Sequence, residues 1–159
     1  MSAFTGPISA TELDLYARLW RLNEPLRYEK GHKGSGLWIV APAGMITDGA
    51  SVPRILWTLL PPWGSYSRAA AIHDYLCYLI AIGRPHPLAP TYQAAADIFD
   101  EAMKVCRTPI HERALIITGV RLWFTIPDAF RPKDSNPYPC GSVQPSSVVL
   151  EHIARQKAA

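Results

Sequence analysis

SRAAAIHDYLCYLIAI, running from Ser67 to Ile82, is the stretch on which the fold turns. Between Arg68 and Arg84 every residue is apolar, aromatic, cysteine or glycine, except His73 and Asp74. Gly83 and Pro85 follow in the order that closes a helix. A helix that is apolar on all sides is a buried helix. The two ionisable residues at its centre point about 100° apart and so cannot face the same water. Burying either one unpaired costs several kcal/mol, so each needs a partner.

The next helical segment is the natural place for one. Thr91 is placed as a cap, and the helix runs to about Cys106, stopped by Thr108-Pro109. Within AAADIFDEAMKVC, Ile98, Ala102 and Val105 share one side, with Phe99 and Cys106 close by. Asp97, Glu101 and Lys104 mark the polar side, and Asp97 lies near its border. Periodicity alone equally suits an Asp97 on a solvated face. The need of His73 for a carboxylate favours an Asp97 turned inward. A third helix is expected from Pro109 to Phe124, with Leu115, Ile116, Val120 and Phe124 at helical spacing.

Upstream, Leu26–Tyr28 and Leu37–Val40 are short apolar or aromatic runs separated by GHKGSG, a hairpin with a longer loop. Thr11–Leu22 fits a helix by its apolar spacing and a strand by its aromatic content. APAGMITDGASVPR is a loop of small residues, after which Ser51 caps a short helix with Pro53 in its first turn. Downstream, 127–146 is proline-rich and irregular, and a short helix is expected over about 148–156. The chain carries no internal repeat and is expected to be a single domain, 1–159, of the α+β class. In that fold a small antiparallel sheet from the N-terminal third packs on an antiparallel helix pair plus a third helix.

Composition narrows the function classes. The 159 residues are 48% hydrophobic and 18% charged, which excludes a disordered chain. A net charge of +3, scattered without a basic run, gives no footprint for nucleic acid. No secretory signal opens the sequence, and Ala69–Ile82 is too short to span a bilayer. A soluble protein of the host cytoplasm is expected. Cys77, Cys106 and Cys140 are odd in number and lack CxxC spacing, which predicts reduced thiols and no zinc site.

The loop TDGAS adds Asp48 beside Gly49, an ordinary turn by itself. Together, Asp48 and Asp74 offer hard oxygen ligands to Ca²⁺, with loop carbonyls and waters completing six to eight positions. Ser51, His73 and Asp97 also satisfy the composition of a serine triad, but Ser51 is better explained as a cap. Trp57, Leu59, Leu60 and Trp63 form an apolar cluster, ordinary core filler in preference to a lipid-facing rim. No HxxxH or HxxE spacing supports a zinc-dependent peptidoglycan hydrolase.

TDGASVPR, a tryptophan, GSY, AAxxHDYL and ADIFDEAM, in this order, resemble the signature of a phage and prophage family, DUF1353, over roughly Leu26 to Val120. A more distant resemblance is to the prokaryotic phospholipases A2. There a DGCS-like loop precedes a His-Asp helix and an antiparallel helix bearing an aspartate before phenylalanine, acidic residues and VC. In this chain Asp48–Ser51, His73-Asp74 and Asp97–Cys106 match those parts. The resemblance implies His73 as general base, Asp97 orienting its ring, and Asp48, Gly49 and Asp74 around Ca²⁺. Cys77 stands where those enzymes have tyrosine, and their paired disulfides are missing. The implied function is a phage-encoded, phospholipase-A2-like acyl hydrolase acting on phospholipid. The alternative is a non-catalytic virion, tail or assembly protein that keeps the scaffold and binds other phage structural proteins.

Overall fold

The computed structural model describes residues 2–14, 19–47 and 64–125. The short helix expected after Ser51, the Trp57–Trp63 cluster, the 127–146 segment and the 148–156 helix all lie outside the described residues.

Among the described residues, six short strands precede three helices: β1 (Ala3–Phe4), β2 (Ala10–Asp14), β3 (Leu19–Leu22), β4 (Leu26–Glu29), β5 (Trp38–Ala41), β6 (Ile46–Thr47), α1 (Ser67–Ala81), α2 (Tyr92–Val105) and α3 (Ile110–Thr125). The class is α+β, as expected. The strands form two three-stranded antiparallel sheets, in the orders β1-β4-β5 and β2-β3-β6, where one sheet was expected. The physical reason is edge occupancy. Both edges of β4 are taken, by β1 and β5, so β2 and β3 pair with each other and β3 takes β6 on its free edge. Backbone bonds from Leu22 N to Met45 O (2.8 Å) and from Gly44 N to Leu22 O (2.7 Å) carry that pairing into the turn before β6. The described residues of the ambiguous Thr11–Leu22 stretch thus lie in two strands.

The GHKGSG hairpin forms as expected. Leu26 pairs with Ala41 and Tyr28 with Ile39, and all four are buried. Directly opposed residues share a face of the sheet, and α1 packs against both strands. Tyr28, Ile39, Ile72, Tyr75, Leu76, Ile98 and Met103 are nearly inaccessible to solvent. Each such side chain contributes roughly 1.5–3 kcal/mol by leaving water.

The helix ends follow the sequence signals. Thr91 Oγ1 accepts from Ala94 N at 3.2 Å, capping α2. After α1, Gly83 takes φ +70°, while Gly83 N and Arg84 N donate to Ile80 O (3.0 Å) and Leu79 O (2.9 Å). These are the two bonds of a Schellman stop. After α2 the same pair recurs, from Arg107 N to Lys104 O and from Thr108 N to Met103 O, both 3.0 Å. Here an arginine, at φ +58°, occupies the left-handed position.

Candidate functional site

The His-Asp pair of α1 is divided between two neighbours. His73 and Asp74 are 5% and 2% exposed. A step of one residue turns the helix by about 100°, and this sends the two side chains to different elements. Asp74 faces β6, where its Oδ2 accepts from Thr47 Oγ1 at 2.5 Å. Thr47 itself is fully buried. His73 faces α2, where its ring stacks on Phe99 at 4.7 Å between centroids and 18° between planes. One turn along α1, Cys77 Sγ lies 3.5 Å from His73 Nε2.

Asp97 is elsewhere. Its Oδ1 accepts from Arg121 Nη2 of α3 at 2.8 Å, in an exposed ion pair. Asp97 and Phe99 are two residues apart, hence about 200° apart around α2. With Phe99 against His73, Asp97 points away from α1. Asp100 is held likewise by Arg113 (3.0 Å) and Lys104 (2.6 Å). The acidic edge of α2 is thus turned towards the arginines of α3. The expected His73–Asp97 dyad does not form, and an aromatic ring occupies the place proposed for the carboxylate.

Burial pushes the His73 imidazole down to about 4. It is therefore neutral at pH 7, and a general base works best when its pKa lies near the operating pH. Cys77 is disulfide-bonded, which corrects the expectation of a reduced thiol at that position. A disulfide sulfur carries no proton, so a hydrogen bond in this pair has Nε2–H as its donor. Cys106 is free and buried, as expected.

Of the expected calcium ligands, Asp48 and Gly49 lie outside the described residues. Asp74 contributes a carboxylate already engaged by Thr47. Among the described residues, no three His, Cys, Asp or Glu side chains cluster as metal ligands. Ser51 of the serine-triad alternative also lies outside them. A surface depression of about 590 Å³, lined by Pro7, Ile8, Ser65, Arg68 and Cys106 among others, includes none of His73, Asp74 or Asp97.

Two polar residues escaped the sequence reading. Thr47, directly before Asp48 at the end of a strand, is the partner that Asp74 required. Glu101, placed with the polar side of α2, is a junction. Its Oε1 accepts from Tyr28 Oη and Gly31 N, both at 2.8 Å, and from Ser2 Oγ. Despite its partial burial, these donors hold its carboxyl below the usual carboxylate range. A carboxylate four residues after Asp97, on the same side of α2, was the available signal.

Residues 20–120, well over half of the chain, match the family described as protein of unknown function, DUF1353. The chain belongs to this family. The DUF1353 match contains most of β3, all of β4 to β6, α1 and α2, and most of α3, and it bears out the family inferred from the motifs. The chain is also similar to the uncharacterized protein y4jT of Sinorhizobium fredii (strain NBRC 101917 / NGR234), at 42% identity over 45 residues. That similarity covers 27% of this chain and 13% of the relative's length. No solved structure matches significantly. Among the described residues, no helix is long and apolar enough to cross a membrane.

Proposed function

We propose that this DUF1353 protein is a non-catalytic component of a phage particle or of its assembly. In this reading, His73 and Asp74 serve as buried structural groups joining α1 to α2 and β6. The observation that carries the proposal is the direction of Asp97, an exposed carboxylate bound to Arg121 instead of His73. Without it, the imidazole meets no acidic orienter among the described residues, and its Nε2 faces the Cys77 sulfur. The deciding experiment measures phospholipid hydrolysis with calcium, and the thermal midpoint, for wild type and His73→Ala. No hydrolysis by either protein, with a clear fall in midpoint for the variant, is expected. Wild-type hydrolysis that His73→Ala abolishes without unfolding would overturn the proposal.

One contact favours a second reading, the phospholipase-A2-like acyl hydrolase. Thr47 immediately precedes Asp48 in the chain and is bonded to Asp74, the acidic residue of α1. In that reading Asp48, Gly49 and Asp74 hold Ca²⁺, which would polarise an ester carbonyl. His73 is then the base, without Asp97 as its orienter. Of that ligand set, Asp74 falls among the described residues. Calorimetry of calcium binding to chelator-treated wild type and Asp74→Asn addresses this reading. Binding present in wild type and lost in the variant supports it.

A further inference from the structure

The cysteines are not equivalent, and neither reading of the His-Asp site uses the difference. Cys77 is disulfide-bonded, while Cys106 is free. Cys77 is 1% exposed and lies one turn of α1 after His73, its Sγ 3.5 Å from His73 Nε2. A bond from Cys77 to a second copy of the chain would have to open this packed interior, so the partner belongs to the same chain.

Position as well as oxidation state excludes Cys106. Its sulfur is held at the start of α1 by the Ala69 amide and the Arg68 side chain. From Ala69 to Cys77 the axis of α1 advances about 12 Å, whereas bonded cysteines have Cα atoms within about 7 Å of each other. The remaining cysteine of the sequence is Cys140, beyond the last described residue, Thr125.

The helices aim that part of the chain at Cys77. His73 stacks on Phe99 from one side of α2, and Arg121 binds Asp97 from another. Phe99 and Asp97 differ by about 3 Å along α2, so His73 of α1 and Arg121 of α3 stand at nearly one level. Cys77 is one turn past His73, and Thr125 is one turn past Arg121. Neighbouring helix axes lie about 8–10 Å apart, which puts Cys77 and Thr125 on the order of 20 Å from each other across α2. Residues 126–139 can span about 45 Å when extended. The reach is ample.

We propose that Cys77 is joined to Cys140, a bond that fastens the C-terminal segment to the middle of α1 beside His73. Closing it takes two electrons and two protons from the two thiols. A small-molecule or protein disulfide accepts them by exchange and leaves as two thiols. Such a bond persists in oxidising surroundings, a virion surface among them. The inference stands whether or not His73 is catalytic.

Peptide mapping tests it on the full chain, oxidised with glutathione disulfide and then alkylated in denaturant without reductant. Trypsin leaves the cysteines in separate peptides, 69–104, 105–107 and 134–155. A linked pair of 69–104 with 134–155 is expected, with 105–107 alkylated. Thiol titration in denaturant should find one thiol in wild type, two in Cys140→Ser and none in Cys106→Ser. Reduction should lower the wild-type thermal midpoint by about 5 °C or more and leave that of Cys140→Ser unchanged. A link to 105–107, three free thiols after oxidation, a disulfide-linked dimer, or a midpoint indifferent to reduction would overturn the proposal.

Discussion

Thr47 Oγ1 donates to Asp74 Oδ2 across 2.5 Å, joining β6 to the middle of α1 where both side chains are buried. A hydrogen bond to a charged group contributes about 1.5–3 kcal/mol, and its loss in the interior leaves the acceptor short of a donor. Thr47→Val, which keeps the shape and removes the hydroxyl, is expected to lower stability by about that amount. Thr47→Ser should retain most of it. Urea denaturation of the two variants beside wild type checks the difference.

The buried imidazole makes stability depend on acid. His73 has its folded-state pKa lowered from 6.5 to about 4, so between these values the unfolded chain binds the proton that the folded protein excludes. Stability is therefore greatest above pH 6.5 and falls as the pH drops towards 4. The total loss from this group is on the order of 3 kcal/mol. Burial lowers His86 as well, so the wild-type slope is shared. His73→Met, which cannot titrate and can pack on Phe99, should flatten the His73 part of the slope. Denaturation midpoints at several pH values between 7 and 4 would show it.

Asp97 and Arg121 have side chains 59% and 47% exposed, and exposed pairs contribute between nothing and about 1 kcal/mol. Asp97→Ala is therefore expected to change stability by less than about 1 kcal/mol, with the remainder of the effect removed by high salt. A larger loss that high salt leaves intact would show that the carboxylate has a buried role. Chemical denaturation at two ionic strengths distinguishes the cases.

Arg107 holds φ +58° in the stop after α2, a conformation costing an L-residue about 1–2 kcal/mol relative to glycine. Glycine loses more chain entropy on folding, which offsets part of that gain. Arg107→Gly is expected to raise stability by roughly 0.5–1 kcal/mol. The corresponding stop after α1, already glycine, provides the control: Gly83→Ala should lower it. Thermal midpoints suffice for both.

The helices were legible because their boundaries are written locally. Thr91, Gly83 and the prolines after each helix act within a turn of their own positions, and all three helices fall close to where these residues put them. The partition of strands into two sheets was not legible, since it depends on which distant edge each strand finds. β6 is only two residues long and has no pattern of its own. The His73–Asp97 pairing failed for a rotational reason. Placing His73 against α2 was correct, but the sequence could not say whether Asp97 or Phe99 would face it. Two residues of helix separate opposite directions. The arginines of α3 that hold the acidic edge outward lie at Arg113 and Arg121, beyond any local signal.

Glu101 binds donors from Ser2, Tyr28 and Gly31, residues up to 99 positions earlier in the chain. A ribosome delivers the N-terminus first. The opening strands therefore emerge well before the carboxylate that fastens them, and closing so long a loop is slow. The first sheet has to wait, unfastened, until α2 leaves the exit tunnel. Truncation just before Glu101 would leave all six described strands and none of that clasp.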